Sequence, residues 1–207
     1  MNISKTTEKY IAERPSVKDC LKKGLINHSA LAREIGKKTA IQNFSAILAA
    51  AKRYKFKLKE NKTLQKRILE VLRNSKIEIK NKIATIVIEK PRYFHDLLSI
   101  EEKIKNKKGN LSLIEGTQAI TIITSIEFLP LIKEAQKSNI LKINEGLVQI
   151  NIICPPEIES TPGVINHVYS SFAENGINIV EEMSCWTDVM ILINENDLAR
   201  AMGFLKF

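Results

Sequence analysis

The chain has 207 residues, 44% apolar and 27% charged, an ordinary soluble composition and enough length for two or three small units. It has no run of about eighteen apolar residues and no basic-then-apolar leader, so neither a membrane span nor a secretory signal is expected. Cys20, Cys154 and Cys185 are too scattered for a disulfide framework or a zinc site, so no metal or other cofactor is expected and a reducing cytoplasm fits. Charge is distributed unevenly. Residues 1–75 hold 18 Lys and Arg against 6 Asp and Glu, net +12, whereas residues 76–142 are net +4 and residues 143–207 net −7. A basic first third is the electrostatic footprint of a nucleic-acid binder; a Lys-rich soluble helix surface gives the same signal.

The first 75 residues read as helices. Ser16 is placed to cap a helix through Lys23 with Gly24 at its end, and Asn27 to cap HSALAREIG, ending at Gly36. The next helix, Ala40 to Tyr54, presents Ile41, Phe44, Leu48 and Ala51 as one apolar face. KLKENK breaks the pattern, and Lys62–Asn74 forms a last helix burying Leu64, Ile68, Val71 and Leu72. HSALAREIG has the spacing of the first half of a helix-turn-helix, with small Ala32 at a helix crossing and Gly36 at the turn. Lys37 stands where an apolar residue is expected, so either the turn is longer or the segment is a general bundle. In the helix-turn-helix reading Gln42, Asn43, Ser45, Lys52 and Arg53 face bases or phosphates, and Lys37 and Lys38 sit at the phosphate backbone.

After Ser75 the texture becomes β-branched. KIEIK (76–80) reads as a short strand, Asn81-Lys82 as a tight turn and IATIVIE (83–89) as a buried strand. A helix from Phe94 to Asn106, strands at Leu111–Ile114 and Ala119–Thr124, a helix over Glu127–Lys137 and a strand at Ile140–Asn144 complete a β-α-β-β-α-β order. The order then restarts: a strand over 147–153, a helix from Pro162 to Asn175, strands at Asn178–Cys185 and Asp188–Ile193, and a helix over Asn196–Leu205. Residues for the sixth element are missing, and the spare strand at 76–80 is a candidate to occupy the open edge. Sheets rich in Ile and Val on both faces suit association between the units or between two chains.

TPGVINHVYSSFAENGINI (161–179) holds the most specific signal. Thr161 suits an N-cap, Pro162 the first helical position and Gly176 the residue beyond the end, with Val164, Ile165, Val168 and Phe172 as the buried stripe. Gly163 costs up to about 1 kcal/mol inside a helix relative to Ala. It is useful where a ligand approaches the backbone: free N–H groups at Gly163 and Val164, together with the helix dipole, favour a carboxylate. Plain helix-start chemistry remains the competing explanation.

Read through to Met202, the stretch resembles an ACT domain, closest in style to the regulatory ACT domains of aspartokinases: a Pro-Gly-Val helix start, a Gly-Ile-Asn-Ile second strand, then an apolar strand and an acidic helix start. The chain is also similar in architecture to archaeal ACT-containing regulators of amino-acid metabolism. The resemblance implies an amino-acid effector touching the loop before the first helix and the start of the second strand, here Thr161, Pro162, Gly163, Val164, Asn178 and Ile179. In the first repeat the equivalent loop is EKPRYFH, without a Pro-Gly start.

The expected fold is α+β: a basic, helix-turn-helix-like helical domain at 1–75, a degenerate ACT-like ferredoxin-like unit at 76–144 and an ACT domain at 145–207. Nothing reads as an enzyme. His28, His95 and His167 have no partners in sequence, and adjacent Glu181 and Glu182 point to opposite faces of a strand. The expected function is an amino-acid-responsive, homodimeric regulator paired through its ACT sheets and binding DNA. The alternative is an adaptor whose helical domain grips an acidic enzyme instead.

Overall fold

A computed structural model of the chain describes residues 2–59, 62–90 and 95–206. It divides into two units, Met1–Lys66 and Arg67–Phe207.

The first unit is built from α1 (Ile3–Ala12), α2 (Pro15–Lys23), α3 (His28–Thr39) and α4 (Phe44–Lys59), with α5 (Lys62–Arg73) starting at its end. Asparagine side chains start three of these helices. The Oδ1 atoms of Asn2, Asn27 and Asn43 accept the N–H groups of Lys5, Ala30 and Ala46 at 3.0–3.1 Å. Ile11, Leu21, Leu31, Ala32, Ile35, Ile47, Ala51 and Leu58 form its core. α1 has no counterpart in the expected elements, because its inward stripe, Ile3-Thr7-Ile11, carries a buried threonine at the middle position and so lacks an apolar repeat. Ser16 is not a cap either. The helix begins one residue earlier, where Pro15 supplies the fixed φ of a first turn.

Gly36 lies inside α3 rather than at a turn. The helix runs on to Thr39, and Ala40 ends it in the left-handed region at φ 55°. A Cβ at Gly36 would stand 3.0 Å from the Ile41 carbonyl oxygen, so the small residue lets the connection to α4 pass close. That connection displaces the buried stripe of α4 from the expected one. Ile47, Ala50, Ala51 and Leu58 face inward, whereas Phe44 is 40% exposed.

The second unit is a six-stranded sheet in the order β2-β3-β1-β4-β6-β5. Its strands are β1 (Lys76–Glu89), β2 (Leu111–Glu115), β3 (Ala119–Ser125), β4 (Ile140–Ile153), β5 (Glu181–Cys185) and β6 (Asp188–Asn194), all paired antiparallel. The helices are α6 (His95–Asn106), α7 (Leu129–Ala135), α8 (Val164–Glu174) and α9 (Leu198–Phe204), with 3₁₀ turns leading into α7, α8 and α9. The expected turn at Asn81-Lys82 is a bulge. Pairing of β1 with β4 shifts register between Lys80 and Ile83, Lys82 takes φ 53°, and the strand continues.

This continuity supplies the missing element. Lys76–Lys80 pairs with Gln149–Ile153, on the side of β4 opposite β6, so the segment expected as a spare strand occupies that edge of β4. The other end of β1 pairs with β3 and with Ile140–Asn144 of β4. Ala84, Ile86 and Ile88 pack with α6, the turn before α7, and α7, through Leu97, Ile100, Ile104, Phe128, Leu129 and Ile132. Alternation sends Ile83 to the other face, where it meets Ile123, Leu147 and Leu192. Residues 91–94, on which the expected helix start at Phe94 falls, lie outside the described residues. Among the described residues no helix is long and apolar enough to cross a membrane.

Candidate functional site

β4 ends at Ile153, and the Cys154 N–H donates to the Thr187 carbonyl at 3.0 Å, anchoring the departing chain to the start of β6. Pro156–Ser160 then makes a 3₁₀ turn, followed by Thr161, Pro162 and Gly163. The N-cap of α8 is Gly163, not Thr161 as expected, and the helix begins at Val164 rather than Pro162. Gly163 has φ 98°, a conformation that a residue with a Cβ rarely adopts, and its carbonyl accepts the His167 N–H at 2.9 Å. Thr161 is extended, with φ −111° and ψ 92°; its side chain is buried and its Oγ1 has no hydrogen-bond partner.

Gly163 therefore has a backbone explanation that the sequence did not show. It also has a packing one, since a Cβ there would lie 3.1 Å from Cδ1 of Ile68 on α5, a residue 6% exposed. The N–H groups of Val164, Ile165 and Asn166 have no acceptor within the helix, as at every helix start. Beside them is an open groove of about 440 Å³ lined by Ile158 to Ile165. Thr161, Pro162, Gly163 and Val164 are thus brought together along it. Asn178 and Ile179 are not among its lining residues. Asn178 is exposed, Ile179 is half-buried, and β5 starts only at Glu181, three positions beyond its expected start at Asn178.

A second cavity, of about 210 Å³, lies between the C-terminal half of α5 and the 3₁₀ loop; Thr161 lines both. Sequence reading assigned α5 only to the helical domain and so missed Arg67, Glu70 and Asn74 on its wall. Their spacing at i, i+3 and i+7 on one helix face was the available signal.

Elsewhere on α8, the Tyr169 hydroxyl donates to Oε2 of Glu182 at 2.5 Å. Burial, then the hydrogen bond and charge of Glu182, push the phenol up to about 12. In an alkaline titration followed by phenolate absorbance, the Tyr169 signal is expected near pH 12, moving down in Glu182→Ala. The folded pKa exceeds the ordinary 10.0, so the associated stability is intact below pH 10 and lost as pH rises towards 12. Burial likewise raises the pKa of the Cys154 thiol above its usual range, partly countered by a hydrogen bond with Ser75, which leaves it a poor nucleophile. Among the described residues no group of three or more His, Cys, Asp and Glu could hold a metal ion.

In the helical unit Lys37, Lys38, Gln42, Asn43, Ser45, Lys52 and Arg53 are all exposed. Two of them have local work: Oδ1 of Asn43 accepts both the Ala46 N–H and the Ser45 hydroxyl, so these side chains start α4. The His28 pKa is lowered by burial, then by the charges of Lys55 and Lys52.

The chain matches no protein-family model and no curated protein sequence. Its fold does have solved counterparts. Aspartate kinase of Clostridium acetobutylicum aligns with 63% of this chain at 14% identity and TM-score 0.54, and this alignment spans 33% of that enzyme's length. The regulatory subunit of aspartate kinase from Thermus thermophilus, in its ligand-free form, aligns with 62% of this chain and 93% of its own, at 15% identity and TM-score 0.50. The corresponding subunit from Thermus flavus gives 62% and 94%, at 14% identity and TM-score 0.51. The fold is ACT-like. Mixed helices on an antiparallel sheet make up the ACT-like unit.

Proposed function

We propose that this protein is a non-catalytic regulator whose ACT-like unit takes up a small amino acid and whose basic helical unit holds an acidic protein partner. The observation that carries this reading is the start of α8, where Gly163 leaves backbone N–H groups beside an open groove. The likeness to aspartate kinase regulatory subunits supports the same role. In this reading residues 76–144 form a first, degenerate repeat and 145–207 a second, completed by Lys76–Lys80, and two copies pair through their sheets in the cytoplasm. Thr161, Pro162, Gly163 and Val164 contact the effector; Asn178 and Ile179 join them only if the loop before β5 reaches the groove.

The net charge of +12 on residues 1–75 suits either an acidic protein surface or the DNA backbone. The protein partner is favoured because Asn43 and Ser45, expected to face bases or phosphates, are held at the start of α4. Two measurements test the reading. Calorimetric titration with the twenty amino acids is expected to give saturable binding of at least one, and no binding by any removes the sensor role. A salt series with duplex DNA is expected to show no retention at low salt. Retention whose log affinity falls linearly with log salt, and is lost on reversing Lys52 and Arg53 to Glu, would replace the protein partner with DNA.

A further inference from the structure

We infer that the cavity between α5 and the 3₁₀ loop is a binding site for a free, zwitterionic α-amino acid, with Arg67 receiving its carboxylate and Glu70 or Glu157 its ammonium group. This deepens the proposed sensor role by placing the charged recognition groups on α5, which precedes the sheet in sequence. Arg67, Glu70 and Val71 recur at i, i+3 and i+4, with Asn74 just beyond the helix at i+7, so one face of α5 looks into the cavity, with Glu157 and Thr161 also lining it. No ion pair among the described residues involves Arg67, Glu70 or Glu157, so one guanidinium and two carboxylates remain without partners around a single concavity. The buried wall supplies an independent sign. Thr161 is 3% exposed, yet its Oγ1 has no hydrogen-bond partner. An unmade hydrogen bond at a buried hydroxyl is costly, and a ligand carboxylate or ammonium beside it would satisfy the group.

Chemistry and size narrow the ligand. A lone anion would meet two carboxylates and a lone cation would meet Arg67, whereas a molecule carrying both charges finds a partner for each. Arg67 can take a carboxylate through two parallel N–H donors. At about 210 Å³ the cavity is smaller than the roughly 300–1,000 Å³ typical of pockets for drug-sized ligands, so its occupant is small. The second carboxylate opposes an acidic side chain, which ranks aspartate below glycine and lysine.

The test is calorimetric titration of the full chain with glycine, lysine and aspartate, together with the methyl esters of the first two. Wild type is expected to bind lysine or glycine more tightly than aspartate, and to bind the esters about 10- to 100-fold more weakly, the range of a lost charged hydrogen bond. Arg67→Gln, an exposed substitution that leaves the core intact, is expected to weaken the free amino acids by the same factor and the esters no further, because both changes remove the same contact. Thr161→Val keeps the shape and is expected to weaken binding several-fold. Binding of amino acids that is indifferent to Arg67→Gln overturns this site and leaves the sensor role standing at the groove beside Gly163. No binding of any amino acid to wild type ends both.

Discussion

Phe172→Ala is expected to destabilise the ACT-like unit by about 3–5 kcal/mol, the largest effect of any single truncation considered for this chain. Phe172 is 0% exposed, and its ring stands edge-on to Phe204 of α9, with centroids 5.2 Å apart and planes at 89°. Truncation removes the transfer free energy of a benzyl group, opens a cavity between two helices, and forfeits an aromatic pair worth roughly 0.5–1.5 kcal/mol beyond its area. Urea unfolding followed by far-ultraviolet circular dichroism gives the number. A cost below about 1 kcal/mol would mean that α8 and α9 do not share a tight core.

Gly163→Ala comes next, at about 2–4 kcal/mol, as the sum of two separable effects. The first is backbone: at φ 98° an L side chain is strained whatever the space around it. The second is steric, because the new Cβ would stand 3.1 Å from Cδ1 of Ile68. Gly176→Ala separates them. That residue has φ 64° and nothing within 4 Å of a built Cβ, so its substitution carries only the backbone cost, about 1–2 kcal/mol. Ile68→Val, made in the Gly163→Ala background, should recover part of the steric cost, giving a double-mutant cycle whose combined loss is smaller than the sum of the singles. Equal costs at Gly163 and Gly176, or strict additivity with Ile68→Val, would show that α5 does not press on the start of α8.

The helix α8 was legible for a physical reason. Val164, Val168 and Phe172 recur at helical spacing and are buried, and Gly176 ends the helix with the expected left-handed turn, its N–H reaching the Ala173 carbonyl at 3.0 Å. These are local features, decided within one turn of chain. The helical unit was half legible for the same reason. Asn27 and Gly24 act locally and stand as expected, whereas the face of α4 depends on where the connection from α3 leaves it. The placement of Gly36 shows the ambiguity: a glycine that permits close approach inside a helix looks, in sequence, the same as one that ends it.

By itself the sequence determined the charge gradient, the β-α-β-β-α-β order and the existence, though not the first residue, of the helix expected over Pro162 to Asn175, because composition and apolar period are properties of neighbouring residues. Only the tertiary structure decided that Asn81-Lys82 bulges instead of turning. A bulge and a hairpin ask the same of two residues, and strand pairing chooses between them, here carrying β1 on to close both halves of one sheet. It also decided the role of Gly163 and the setting of Thr161, since Ile68 and Arg67 meet that loop across about ninety residues of chain. The helical spacing of Arg67, Glu70 and Asn74 marks one face of chain, but nothing local says that the loop before α8 packs against that face, so the cavity could be read only once both were placed.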